Sequence, residues 1–121
     1  MNKIRTLVIG SGERIQQVIL PALFCLRPQF ELVGIHSRTQ ATVEALASDW
    51  SGDVICKGSN ELGSFDFKQI DLIIIAITKE SNPDILQQLI NQGAIHIPIL
   101  MDTPPLHLSG MRKLKLFRRF K

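Results

Sequence analysis

Short runs of apolar, mostly β-branched residues alternate along the chain with longer segments in which apolar residues recur at helical spacing. The short runs predict strands, which we place at Ile4–Ile9, Phe30–His36, 53–57, 71–77 and 96–101. The fourth run, Leu-Ile-Ile-Ile-Ala-Ile, is apolar on both faces and therefore belongs in the centre of the sheet. The alternation is typical of βαβ units, so we expect an α/β fold with a doubly wound, mainly parallel sheet of about five to six strands.

The segments between the strands predict helices at 13–26, from Thr39 through Trp50, and from Ser81 to Gly93, with a turn and a short helix within 58–68. Pro21 lies inside the first helix and should bend it, because proline has no N–H group for the helical hydrogen bond. Thr39 is expected to cap the second helix, and Gly93 is expected to end the third.

The length of 121 residues and the hydrophobic content of 45% fit one domain with a substantial core. We place this domain at residues 1–106. The longest apolar run has six residues, far short of the roughly 20 that a membrane-spanning helix needs. The apolar stretch that follows Lys3 and Arg5 is also too short for the core of a signal peptide. We expect a cytoplasmic protein without a membrane partner, in which Cys25 and Cys56 are buried, reduced thiols and no metal is bound.

The net charge of +3 comes from the carboxyl-terminal end, where six of the last ten residues are basic, and the rest of the chain has eight basic against eleven acidic residues. Residues 107–121 predict a basic amphipathic helix that packs on the domain or extends from it. Its apolar stripe fits a core or oligomer contact better than an acidic protein, a membrane or a nucleic acid. No nucleic-acid-binding motif accompanies the charge, so we expect no nucleic-acid partner.

The first strand runs into Gly10, Ser11, Gly12, Glu13 and Arg14, which match the start of a G-x-G-x-x-G turn between a strand and a helix. A glycine at the first position permits the tight turn, and one at the second lets the backbone approach a phosphate. Free N–H groups at the helix start favour an anion. The motif predicts a Rossmann-type site for the pyrophosphate of a dinucleotide, although Ile15 replaces the third glycine and a purely structural turn is the alternative.

Polar residues follow the other strands at the same edge of the predicted sheet. After the second strand come Ser37, Arg38 and Thr39, with no carboxylate to take the ribose hydroxyls of NAD, which favours NADP over NAD. The alternative is that Thr39 only caps its helix and Arg38 is solvated. The loop after the fourth strand should line the ribose and nicotinamide half of the cofactor, although Asn82 also suits a capping role. The remaining candidates for cofactor contact are Ile77, Thr78, Asn82 and Asp102.

Several short motifs, in order and at consistent spacing, resemble the amino-terminal domain of the glucose-fructose oxidoreductase/inositol 2-dehydrogenase (Gfo/Idh/MocA) family. They are Thr-Leu-Val-Ile-Gly-Ser-Gly at 6–12, Leu-Pro-Ala-Leu at 20–23, Phe-Glu-Leu-Val-Gly-Ile at 30–35, Ser-Arg-Thr at 37–39, Ile-Ala-Ile-Thr at 75–78 and Asp-Thr-Pro-Pro at 102–105. The resemblance covers about residues 3–106. It implies an NAD(P)-dependent oxidoreductase acting mostly on sugars, cyclitols and related carbonyl compounds.

Two departures from the family pattern bear on catalysis. The family's Glu-Lys-Pro motif is Asp102-Thr103-Pro104 in this chain, so Thr103 stands at the position of the lysine that helps bind substrate and tune proton transfer. The resemblance also implies a second α/β domain with an open antiparallel sheet, which carries the acid/base residues and which this sequence lacks. We therefore assign no catalytic residue and expect a nicotinamide dinucleotide-binding domain that is incomplete for catalysis alone, as a homo-oligomer or beside a separate substrate-domain protein. The alternative is a non-catalytic regulatory or interaction protein.

Overall fold

Five parallel strands form one sheet in the computed structural model, which describes residues 3–50, 55–77, 81–94 and 96–101. The strands are β1 (Ile4–Ile9), β2 (Phe30–His36), β3 (Lys57–Ser59), β4 (Leu72–Ile75) and β5 (Ile99–Met101). Their order is β3-β2-β1-β4-β5, so β1 is central and β4 has a neighbour on each side. The predicted α/β class and the parallel pairing are confirmed. The fourth strand lies beside the centre of the sheet rather than in it, because the central position is taken by β1.

Three helical segments connect the strands, at the positions that the apolar spacing predicts. Residues 13–25 are continuously helical and comprise a π-helical turn (Ile15–Ile19) followed by α1 (Leu20–Cys25). The other two are α2 (Gln40–Asp49) and α3 (Asn82–Asn91). Gly93 follows α3 with a φ of 73°, which is the left-handed conformation expected of a glycine after a helix.

Apolar side chains cover both faces of the sheet. On one face, Ile15, Leu23 and Val43 from the first two helical segments pack on Val8 and Ile35. On the opposite face, α3 and the segment between β3 and β4 pack on β1 and β4, and their buried residues are Leu62, Phe65, Phe67, Ile70, Ile85, Leu86 and Leu89. This second segment contains two short 3₁₀ turns, Leu62–Ser64 and Phe67–Gln69, rather than the single short helix predicted there. Helices on both faces make the sheet doubly wound.

The two edge strands differ from the prediction. Residues 55 and 56 are outside any strand, and β3 begins at Lys57, so the predicted strand at 53–57 is displaced. A Cβ atom on Gly58 would lie 2.4 Å from the Val43 carbonyl oxygen, so glycine at this position lets α2 lie directly against β3. β5 is limited to Ile99–Met101 because Pro98, which has no N–H group, only accepts a hydrogen bond, from Ile73.

Three local predictions are also modified. The distortion expected at Pro21 takes the form of the π-helical turn just before it, where the Leu20 N–H donates to the Ile15 carbonyl. Thr39 occupies the N-cap position of α2, but its side chain makes no capping hydrogen bond. Its main-chain N–H donates to Ser37 Oγ, 3.3 Å away. Cys25 is exposed at the end of α1, whereas Cys56 is buried as predicted.

An ion pair joins β1 to β4 at the amino-terminal edge of the sheet. The Arg5 guanidinium donates to both carboxylate oxygens of Asp71, at 3.1 and 3.2 Å, and the Arg5 main-chain N–H donates to the same carboxylate. Both side chains are partly exposed, and these bonds hold the pKa of Asp71 below its ordinary value of 3.8. The pair therefore fixes the start of two central strands, on the edge opposite the candidate site.

Candidate functional site

The carboxyl ends of all five strands lie at one level. Register pairs Ser59 with His36, His36 with Ile9, Ile9 with Ile75 and Ile75 with Met101, and each of these residues is the last of its strand. The loops that follow therefore leave the sheet along a single edge. In open α/β sheets this edge is where ligands bind.

Gly10 is required by the fold itself. Its φ is 129°, a region that residues with side chains rarely adopt, and a Cβ atom there would lie 2.3 Å from the Ala76 carbonyl oxygen. Its N–H donates to the His36 carbonyl at 2.7 Å, while the Ala76 N–H donates to Ile9 at 3.0 Å. The first glycine of the turn thus ties together the ends of β1, β2 and β4.

Gly12 has no such structural reason to be glycine. Its φ is not positive, and a Cβ atom built on it would meet nothing within 4 Å. Within the described ranges, the N–H groups of Ser11 and Gly12 have no hydrogen-bond acceptor. Two free donors beside an open backbone form the kind of concavity in which proteins bind phosphate oxygens.

Gln16 holds the carbonyl groups of the same turn. Its side-chain amide donates to the Ser11 carbonyl at 2.7 Å, and its main-chain N–H donates to the Gly12 carbonyl at 3.0 Å. The carbonyl groups of Ser11 and Gly12 are therefore satisfied from within the protein. Their free N–H groups are what these two residues' backbone offers to a ligand, and such donors favour an anion.

His36 is the last residue of β2, and its side chain is buried beside β3. The imidazole is buried against Phe65 in an edge-to-face contact, and its Nδ1 lies 3.1 Å from the Ser59 carbonyl. A carbonyl only accepts, so in the neutral ring Nδ1–H is the donor and Nε2 carries a lone pair. Burial lowers the pKa of His36 below 6.5, partly opposed by the bond to Ser59, so the ring is neutral at physiological pH.

The loop after β2 is polar and carries one positive charge. Ser37 is half-buried, whereas Arg38 and Thr39 are exposed. None of the three is an acid, so no carboxylate follows β2 at the position where a ribose diol would be bound. The guanidinium is thus the charged group that this loop presents to solvent.

The structure brings together most of the residues predicted for the site. Those placed along this edge are Gly10, Ser11, Gly12, Glu13, Arg14, Ser37, Arg38, Thr39 and Ile77. Asn82 begins α3, with only its backbone described, while Thr78, Asp102, Thr103 and the predicted basic helix lie outside the described residues. The sequence analysis did not single out Gln16 or His36. The one available signal was the position of Gln16, four residues after Gly12, where a helical N–H reaches back to the turn.

Neither a metal site nor a membrane-spanning helix occurs in the described part of the chain. There, no group of three or more His, Cys, Asp and Glu residues comes together in a way that could hold a metal ion. None of the helices found in these ranges has the length and apolar character needed to cross a membrane.

Solved structures share this fold at low sequence identity. KijD10, a 3-ketoreductase from Actinomadura kijaniata solved in complex with NADP and TDP-benzene, is 19% identical with a TM-score of 0.74, over 98% of this chain and 35% of that one. A super-repressor mutant of Gal80p from Saccharomyces cerevisiae is 18% identical with a TM-score of 0.81, over 98% and 32%. An oxidoreductase from Thermotoga maritima is 20% identical with a TM-score of 0.70, over 87% and 31%. The chain thus spans about a third of the length of each of these proteins.

Comparison by sequence gives a family but no individual relative. No curated protein matches the chain. Residues 4–116, by contrast, match the model of the oxidoreductase family with an NAD-binding Rossmann fold, which confirms the predicted family and its cofactor class, NAD or NADP. With a glycine turn open to an anion at the strand ends and a family match over nearly its whole length, this chain belongs to the Gfo/Idh/MocA oxidoreductase family.

Proposed function

We propose that this chain is the nicotinamide dinucleotide-binding domain of a Gfo/Idh/MocA-type oxidoreductase, that it prefers NADP to NAD, and that it is incomplete for catalysis alone. The observation that carries the proposal is the contrast between the two glycines of the turn. Gly10 is explained by the fold, whereas Gly12, with open space at its Cβ position and a free N–H group, is explained by a ligand. The pyrophosphate of the cofactor fits the two free N–H donors of Ser11 and Gly12.

The preference for NADP rests on the loop after β2. An acid there would bind the ribose diol of NAD and repel a 2′-phosphate, and residues 37–39 contain none. The exposed guanidinium of Arg38 suits a phosphate because it can donate two parallel hydrogen bonds. KijD10, which shares the fold, was solved with NADP, and this agrees with the proposal.

Calorimetric titration of the chain with NADPH and with NADH tests both parts of the proposal. We expect binding of both, with NADPH tighter, and we expect Arg38→Ala to weaken NADPH while leaving NADH nearly unchanged. NADH thus serves as the internal control, because it lacks the 2′-phosphate. Absence of binding of either nucleotide at millimolar concentration would overturn the assignment of the domain, and equal losses for both in Arg38→Ala would overturn only the NADP preference.

We propose that this chain alone does not catalyse the oxidoreductase reaction. Thr103 supports this, because the family has a lysine at this position and a threonine hydroxyl cannot supply its positive charge. We propose that substrate contacts come from a second copy or from a separate substrate-domain protein. The location we propose is the cytoplasm, where the free thiols of Cys25 and Cys56 stay reduced.

Thr103 also favours a second candidate, a regulatory protein that retains the fold and the cofactor without the chemistry. Gal80p, which shares the fold, is described as a repressor mutant, so this family of structures includes at least one protein described by a role other than catalysis. Reduction of NADP⁺ in the presence of a panel of polyols and sugars distinguishes the two candidates when it is measured with this chain alone and with an open-sheet substrate-domain protein from an adjacent reading frame added. Turnover only in the mixture would contradict the regulatory role, and turnover by this chain alone would contradict both candidates.

A further inference from the structure

We propose that Gln16 is a positioning residue that presets the glycine turn for the pyrophosphate, by holding the Ser11–Gly12 peptide so that the Gly12 N–H faces the ligand. This inference rests on the proposed function, because it assigns a role within the same site. Gln16 does not itself contact the cofactor in this proposal. It acts through the backbone of the turn.

The geometry follows from the planarity of the peptide group. In a trans peptide, the C=O of one residue and the N–H of the next point in opposite directions, and no described peptide bond is cis. The side chain of Gln16 binds the Ser11 carbonyl at 2.7 Å, from the helix side of the turn. The Gly12 N–H, at the other end of that peptide, therefore points away from the helix, where it has no acceptor among the described residues.

The next peptide is oriented by the same residue. The main-chain N–H of Gln16 binds the Gly12 carbonyl at 3.0 Å, so the Glu13 N–H also points away from the helix. This second bond belongs to the helical backbone and persists with any side chain at position 16. The side-chain bond to Ser11 is the part that depends on glutamine, and it lies in the turn where the backbone is least constrained by helix or sheet.

Preorganisation of the donor sets the size of the effect. Without the glutamine amide, the Ser11–Gly12 peptide rotates among several orientations, and binding must select the one with Gly12 N–H outward. The loss of one such hydrogen bond corresponds to roughly a three- to tenfold change in an equilibrium constant. The loss should fall on ligands with a pyrophosphate and spare those without one.

The test compares Gln16→Met with Gln17→Met in the same chain. Gln17 is the matched control, because its neighbouring side chain is exposed and has no hydrogen bond to another described residue. Binding of NADPH is measured by calorimetry, and binding of adenosine 2′-monophosphate, which has the adenosine and 2′-phosphate but no pyrophosphate, by NMR titration. We expect Gln16→Met to bind NADPH about three- to tenfold more weakly, with adenosine 2′-monophosphate changed less than about twofold and Gln17→Met equal to the parent for both.

A second variant guards against a simple packing effect. Gln16→Glu places a carboxylate against the Ser11 carbonyl and near the phosphate, so it should bind NADPH more weakly than Gln16→Met does. Equal NADPH affinity in the parent and Gln16→Met, or equal losses for both ligands, would overturn the role of Gln16 and leave the proposed function standing. A parent chain that binds neither NADPH nor NADH would remove the proposed function and this inference together.

Discussion

Alanine substitutions at the two glycines of the turn should have opposite consequences. In Gly10→Ala, the methyl group would stand 2.3 Å from the Ala76 carbonyl oxygen at a φ of 129°. Backbone strain of this kind costs about 1–3 kcal/mol, and overpacking a filled site costs a similar amount, so we expect a loss of about 2–5 kcal/mol in the free energy of unfolding. In Gly12→Ala, the methyl group meets nothing within 4 Å, so the free energy of unfolding should stay within about 0.5 kcal/mol of the parent value.

Although Gly12→Ala should leave stability nearly unchanged, it should weaken the binding of the cofactor. A methyl group between the backbone and a phosphate costs about 1–3 kcal/mol as an overpacked contact, which weakens NADPH binding by roughly five- to 150-fold. Urea unfolding and calorimetric titration of the same samples measure the two quantities. A Gly12→Ala protein that is as stable as the parent and binds NADPH equally well would refute the reasoning, because Gly12 would then have neither a structural nor a ligand-related role.

Three further predictions concern stability. Burial lowers the pKa of His36 in the folded protein, whereas the imidazole of the unfolded chain takes up a proton near pH 6.5. The free energy of unfolding should therefore be highest above that pH and fall below it. Urea unfolding at a series of pH values should show a weaker dependence of this free energy on pH in His36→Gln. Asp71→Asn should destabilise the protein at neutral pH, because it removes the carboxylate that binds Arg5. Well below pH 3.8 the parent carboxylate has itself taken up a proton, so the two proteins should be equally stable there. An equal loss of stability at neutral and at low pH would contradict this. Gly58→Ala should lower the thermal midpoint, since its methyl group would lie 2.4 Å from the Val43 carbonyl oxygen, and an unchanged midpoint would show that α2 shifts freely.

The central part of the fold could be predicted from the sequence because its signals are local. The apolar spacing of residues 13–26 predicts a helix, and the β-branched run of β4 predicts a strand, without reference to the rest of the chain. The limits of the edge strands β3 and β5 could not be predicted from the sequence, because they depend on the elements that pack beside them. β3 contains Gly58, which packs against α2, and β5 begins only after Pro98. Neither the packing on α2 nor the pairing of β5 with β4 can be read from a short window of sequence.

The candidate site divides in the same way. The glycine turn carries its own signature, and the loop after β2 follows from the strand that precedes it. The contact between His36 and Ser59 joins residues 23 positions apart, so only the pairing of β2 with β3 reveals it. The bond from Gln16 to Ser11 is local, but it exists only when the turn and the helix start adopt one particular conformation.

The central position of β1 has a consequence for the order in which the domain can assemble. β1 leaves the ribosome before both of its neighbours, β2 and β4, and β4 follows only after β2 and β3 have been made. Until Leu72–Ile75 has emerged, one edge of β1 has unpaired N–H and C=O groups that can add a strand from another chain. Synthesis from the amino terminus thus builds the middle of the sheet first and protects it last, which makes the nascent chain, more than the folded one, the form most exposed to aggregation.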